Sequence, residues 1–227
     1  MATSQRKRQK KLEKRAAKQK QERNELRREK SQGLGQRLAQ AAAAPILHCC
    51  TTPALWNNGI SNVLISREVT PSKIAFAMFL VDVYCLGVKD VFGGILSRGE
   101  YRQMYRPFAE HNSVVPLEPA DVRKLVEGAV DYAASIGLKP HRDYQKFQRI
   151  FGDIDPRDSS REFVYGRDNG KPHFIAGPHD TPARCRQILE TLEHTCGPGG
   201  YDSAIPFAGG MLDAGDDVLH IETEDET

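Results

Sequence analysis

Hydrophobic positions are densest between Ile60 and Phe92, where two runs rich in β-branched and aromatic residues, 60–69 and 73–84, flank the short link Thr70-Pro71-Ser72. This pattern predicts an antiparallel hairpin. In the second run both alternating sets are apolar: Ile74, Phe76, Met78, Leu80 and Tyr84 on one side, Ala75, Ala77, Phe79, Val81, Val83 and Cys85 on the other. A strand apolar on both faces belongs in the middle of a sheet that is covered on both sides.

The pattern then changes period. After 86–90 leaves the strand, residues 91–109 space apolar and basic positions at helical intervals, with Arg98, Arg102 and Arg106 on one stripe and Tyr101, Tyr105 and Phe108 on the next. Gly93, Gly94 and Gly99 weaken that helix. Residues 117–136 predict a firmer one, with Pro119 in the first turn, Asp121 near the positive end of the dipole, an apolar face from Val122 to Ala133, and Gly137 as its stop. A shorter helix is expected over 141–151, carrying Arg142, Lys146 and Arg149 above Tyr144, Phe147 and Ile150. Asn169-Gly170 marks a second hairpin, pairing 162–166 with 172–177. Asp180 or Thr181 caps a last helix begun by Pro182, with Cys185, Ile188, Leu189 and Leu192 as its buried stripe and Gly197 as its end.

These elements describe an α+β fold in which two hairpins contribute to a small antiparallel or mixed sheet, three or four helices cover it, and charged arms extend from both ends. The chain divides into a basic arm and linker over 1–44, one globular domain over 45–211 and an acidic tail over 212–227.

Charge sharpens this division, because the formal net charge of +2 hides a segregation. Residues 1–30 hold 13 Lys and Arg against 4 acidic residues, whereas 212–227 hold none against 7. The head is made of helix formers with almost nothing to bury, so alone it is expected to be disordered or a frayed helix. Its cations, among them Arg6, Lys7, Arg8, Lys10, Lys11, Lys14, Arg15, Lys18 and Lys20, would gain free energy on a polyanion by releasing condensed counterions. RNA or a ribosome surface is the polyanion expected, with Arg98, Arg102 and Arg106 as a second contact, since arginines beside aromatics suit phosphates and bases. The acidic tail suits a basic protein, which makes an interaction adaptor with opposed charged tails the alternative. Five irregularly spaced cysteines, no apolar segment after the N-terminal charges and no run long enough to span a bilayer point to a reducing, cytoplasmic setting without a membrane partner.

Catalytic chemistry has thinner support. Asp82 sits inside the most apolar strand and Asp90 follows it, so the two could hold Mg²⁺ as in a metal-dependent nuclease. A buried carboxylate demands some partner, and Lys89 or Arg67 would serve as well. His48, Cys49 and Cys50 are soft ligand types, but adjacent cysteines lack the spacing of a zinc site, and the distant His194 and Cys196 would have to complete it. Cys85 with His111 or His173 has the ingredients of a nucleophile and base, though a cysteine at a strand end is more often a small hydrophobe. Residues 166–171 are one short of a phosphate-binding loop, and 153–164 miss the glycine and glutamate of a calcium loop. The expectation is therefore a non-catalytic protein with no resident cofactor.

Overall fold

The computed structural model describes residues 33–167, 170–207 and 210–213. The basic arm up to residue 32 and the acidic tail from residue 214 lie outside the described residues. The expected hairpin forms strands β2 (Ile60–Thr70) and β3 (Lys73–Asp82), joined through Pro71 and Ser72 and paired antiparallel with Ile65 opposite Ala77. Strands β1 (Ile46–Thr51), β4 (Gly87–Ser97) and β5 (Val115–Pro116) complete a five-stranded sheet in the order β4-β3-β2-β1-β5, antiparallel throughout.

Both faces of β3 are covered. Ala75, Ala77, Phe79 and Val81 point into the larger core, against α1 (33–41), α4 (Pro119–Ser135), α5 (Tyr144–Phe147) and the 3₁₀ turn Gln148–Phe151. Ile74, Phe76 and Met78 meet Tyr101, Met104, Tyr105 and Phe108 of α3 (Arg98–Asn112) on the opposite side. The alternation breaks at the following turn: Tyr84 joins the larger core, while Cys85 and Leu86 enter a third cluster with Ile136, Phe174 and Leu192. That cluster lies between the turn, the end of α4, helix α6 (Pro182–Cys196) and a small sheet. Its strands β6 (His173–Ile175), β7 (Asp202–Phe207) and β8 (Gly210–Asp213) run parallel for the first pair and antiparallel for the second. The remaining helix, α2 (Ala54–Asn58), is a single turn between β1 and β2.

Four sequence expectations need correction. Residues 87–97 form a strand, not the first half of a helix, and Gly93 is there for a steric reason. A Cβ at this position would lie 2.3 Å from the Phe76 carbonyl and 2.9 Å from the Phe147 ring, so only glycine lets α5 close onto the sheet. Helix α3 begins where Ser97 and Glu100 form a reciprocal capping box. Residues 33–41 are a packed helix rather than a linker, with Leu38 fully buried.

The second hairpin reduces to a single bridge between Arg167 and Lys171, and its two sides go to different partners. Tyr165 donates its hydroxyl to the Lys124 and Leu125 carbonyls of α4, Gly166 donates its amide to Val83, and β6 pairs with β7 in a separate sheet. The helix expected over 141–151 is one α turn followed by one 3₁₀ turn.

Arg67 ties the layers of the larger core together. Only 5% exposed, it projects from β2 on the same face as Val63 and Ile65. Its Nε donates to the Ile150 carbonyl at 2.9 Å, Nη2 to Phe151 at 2.9 Å and Nη1 to Ala44 at 2.7 Å. The guanidinium thus satisfies carbonyls at the end of the 3₁₀ turn and just after α1; the Phe151 oxygen also accepts the Ile154 amide at 3.3 Å, so the Ile150 and Ala44 oxygens depend on Arg67 most. Burial lowers the Arg67 pKa, opposed by the charge of Asp153. Replacing Arg67 by Met keeps the stem and strands the carbonyls, and is expected to cost on the order of 3 kcal/mol in urea unfolding. A loss below about 1 kcal/mol would show that water takes over the guanidinium's role.

Candidate nucleic-acid interface

Arg98, Arg102 and Arg106 do share one face of α3, as their spacing predicts, but they are not equally available. Arg98 donates Nε to the Pro71 carbonyl at 2.7 Å and pairs with Glu68, so it anchors the helix start to the β2–β3 turn. Arg106 pairs with Glu110 one turn on, 2.7 Å away and well exposed. Arg102 is exposed and has no carboxylate partner among the described residues. The neighbouring aromatics are packed inward: Tyr101 is buried, and Tyr105 and Phe108 are half-buried against the sheet. This face therefore offers phosphate contacts without an exposed stacking platform.

Beneath α3, His48 on β1 lies in a stack of rings. Its ring is parallel to Tyr105 with centroids 4.0 Å apart, and its Nδ1 is 2.9 Å from the Tyr101 hydroxyl, which donates to Ser66 at 2.8 Å. Burial lowers the His48 pKa, favouring the neutral ring that such stacking accommodates. Cys49 and Cys50 point to opposite faces of the sheet, into the larger core and the α3 cluster respectively. Burial pushes their thiols up to about 12 and about 11. His194 and Cys196 belong to the end of α6, at the third cluster, so the five are not brought together. No group of three or more His, Cys, Asp or Glu side chains among the described residues is arranged to hold a metal.

Basic side chains do gather where the arm joins the body. A Cβ on Gly35 of α1 would lie 3.2 Å from Cγ of Lys146 and 3.8 Å from Nη1 of Arg149, which fixes these two cations beside the first turn of the helix. Lys146 pairs with Asp143 at 3.1 Å and lies over the Phe147 ring. Arg37 and Arg149 are exposed and pair with no carboxylate among the described residues. Of the two stripes expected from sequence, one lies on α3 and the other is split, with Lys146 and Arg149 beside α1 and Arg142 at a cleft next to α6. Arg6, Lys7, Arg8, Lys10, Lys11, Lys14, Arg15, Lys18 and Lys20 fall outside the described residues. Lys89, expected only as a partner for Asp82, pairs instead with Asp180, and with Lys139 and Arg184, which the sequence pattern did not single out, it lines the cleft next to α6. The run Lys139-Pro140-His141-Arg142, directly after the Gly137 helix stop, was the available signal.

Asp82 and Asp90 have separate local roles. Asp82, 7% exposed, closes the β3–β4 turn by accepting the amides of Tyr84 at 2.9 Å and Cys85 at 3.1 Å. Asp90 lies two register positions away, opposite Leu80, with its carboxylate on the Val91 amide at 2.7 Å and largely exposed. Cys85 is fully buried and its thiol is raised by burial and then by the Asp82 charge, while His111 accompanies the exposed end of α3.

Burial raises the Asp82 carboxyl to about 6, against the lowering effect of the Tyr84, Leu86 and Cys85 amides and of Lys89. An acid whose folded pKa exceeds its unfolded value binds more protons when folded. Its contribution is present at low pH and is lost as pH rises from near 4 towards 6 and beyond. Asp82→Asn keeps an oxygen for the amides without the buried charge. Wild type is expected to lose about 1–2 kcal/mol relative to Asp82→Asn between pH 5 and pH 8 in urea unfolding, and parallel profiles would contradict this.

Comparison with known proteins leaves the reading to these residues: no protein-family model matches the chain, and no curated protein or solved structure gives a significant match.

Proposed function

We propose that this is a non-catalytic RNA-binding protein, of free RNA or of a ribosome surface in the cytoplasm, anchored by its basic arm. The observation that carries the reading is charge continuity. An arm with 13 cations against 4 anions leads into α1, and Arg37, Lys146 and Arg149 carry the positive surface on where that helix meets the body. A chain of this charge density gains affinity mainly by counterion release, which is sequence-independent and steeply salt-dependent. The packed helix gives the arm a fixed root, so binding need not order the whole segment from nothing. Arg102 on α3, with no carboxylate partner among the described residues, adds a cation on a second face, with Arg98 and Arg106 beside it. No helix among the described residues is long and apolar enough to cross a membrane.

The test is fluorescence anisotropy with an unstructured oligoribonucleotide. The full chain is expected to lose on the order of 10³-fold in affinity between about 50 and 200 mM salt, and removal of residues 1–30 is expected to abolish most of that slope. Arg102→Ala should weaken binding by roughly two- to fivefold, as loss of one phosphate contact does. Equal affinity and slope with and without the arm would overturn the reading.

A further inference from the structure

Between the five-stranded sheet and α6 lies a cleft of 530 Å³ that the RNA reading does not use. It is built from three pieces of chain: Val88 and Lys89 of β4, the 137–142 loop that follows α4, and the α6 face bearing Arg184, Gln187, Ile188 and Thr191. Each piece is fixed. The His141 amide donates to the Val88 carbonyl at 2.8 Å, which ties the loop to the strand. Gly137, at φ +81°, lies so close to α6 that a Cβ would be 2.9 Å from the Thr195 hydroxyl and 3.0 Å from Thr191.

Lys89 is aimed by an irregularity in the sheet. Val81 opposes Val88 and Leu80 opposes Asp90, so Lys89 is the extra residue of a bulge. A bulge releases a side chain from the regular alternation and redirects it, here towards α6. Its ammonium meets Asp180 at 2.6 Å, and the same carboxylate, 1% exposed, lies 3.5 Å from Arg184 Nε and accepts the Gly177 amide at 2.8 Å. Thr181, not Asp180, caps α6, accepting the Arg184 amide at 3.3 Å. Asp180 is thereby free to hold two cations. Burial works against its ionisation, but the bonds from Lys89 and Gly177 and the charges of Lys89 and Arg184 outweigh it and keep its pKa lowered.

The charge balance follows. Lys89, Lys139, Arg142 and Arg184 line the cleft together with His141, and no carboxylate is among the lining residues. Asp180 behind the wall offsets one of the four, and Asp90, largely exposed, lies 3.7 Å from His141 Nε2. Lys139 and Arg142 are exposed at the mouth with no carboxylate partner among the described residues. The floor is apolar, from Leu86, Val88, Leu138 and Ile188. Concave sites that pair an apolar floor with a few convergent polar groups are the usual form of small-ligand sites, and a volume of this size exceeds what a bare phosphate needs.

We propose that this cleft binds a phosphate monoester of about nucleotide size, its phosphate held by Lys139, Arg142 and Arg184 and its apolar or planar body seated on the Val88, Leu138 and Ile188 floor. Lys89 and Asp180 are positioning residues: the buried pair holds Arg184 against the wall. A 5′-nucleotide and the 5′-phosphate of an RNA end present the same chemistry. Because the residues are all in the body, the site is independent of the basic arm.

Isothermal titration of the full chain with 5′-AMP, inorganic phosphate and adenosine tests the proposal. Anisotropy with a 5′-phosphorylated and a 5′-hydroxyl oligoribonucleotide of one sequence then separates the two sources. 5′-AMP is expected to bind more tightly than either phosphate or adenosine, and the double variant Lys139→Ala, Arg142→Ala to weaken it by roughly tenfold or more while its thermal unfolding stays near wild type. A gain from the 5′-phosphate on RNA that disappears in the double variant assigns the site to RNA ends, and 5′-AMP binding without that gain assigns it to free nucleotides. Asp180→Asn should weaken 5′-AMP as well, with Lys139 and Arg142 intact. No saturable 5′-AMP binding by wild type, adenosine binding equal to 5′-AMP, or unchanged affinity in the double variant would each overturn the proposal. Removal of residues 1–30 should leave 5′-AMP binding unchanged whatever it does to RNA.

Discussion

A strand that is apolar on both faces has to be covered twice, and that constraint from β3 organises the whole body. On one face Phe79 stacks on Phe151 with centroids 5.5 Å apart and meets the Tyr144 ring edge-on, so α5 and the 3₁₀ turn are pressed onto the sheet. On the other, Phe76 meets Tyr101 edge-on, which seats α3. Burial of such rings contributes a few kcal/mol each, most of it from water exclusion and part from ring geometry. Covering both faces brings helix ends into the interior, and their carbonyls then need donors. Arg67 meets that need on the larger side, and the Ser66–Tyr101–His48 series of hydrogen bonds satisfies the polar atoms under α3.

How much of this was legible depended on whether the cause was local. The β2–β3 hairpin could be read to within two residues because period-two alternation and a Pro-containing link are properties of the segment itself. Helix α4 was equally plain, with proline at its start, an apolar stripe and glycine after its end. Strand β4 was missed because Gly93 and Gly94 carry no side-chain pattern. Gly93 is explained by Phe147, more than fifty residues away, and no window along the chain contains that fact. The second hairpin failed for the same reason: Arg167 does bridge to Lys171, with residues 168 and 169 outside the described ones, but Tyr165 is claimed by α4 and β6 by β7. Of the charged positions, the α3 stripe was visible as a spacing, whereas its partial neutralisation by Glu68 and Glu110 needed the fold for the first and the helix for the second.

The distribution of charge over the body separates structure from function. Buried charges are spoken for: Arg67 by carbonyls, Asp82 by amides, and Asp121 by the Ser159 hydroxyl at 2.6 Å with Arg161 beside it. Such groups specify how elements meet, and their removal leaves partners stranded in a dry interior. Arg37, Arg102, Lys139, Arg142 and Arg149 are different, being exposed and without carboxylate partners among the described residues. They cost little to maintain and contribute little to stability, so their positions beside α1, on α3 and at the cleft mouth are where the proposed function has anions meet the surface.

In the proposed function, RNA is held through the arm and the surface at its root. Photocrosslinking of the full chain to a short oligoribonucleotide, followed by mass spectrometric mapping of the adducts, tests it most directly. Adducts are expected to concentrate within residues 1–30 and around Arg37, Lys146 and Arg149, with fewer on α3, all lost as salt is raised. Adducts confined to the outer surface of the β6-β7-β8 sheet, or a pattern indifferent to salt, would contradict it.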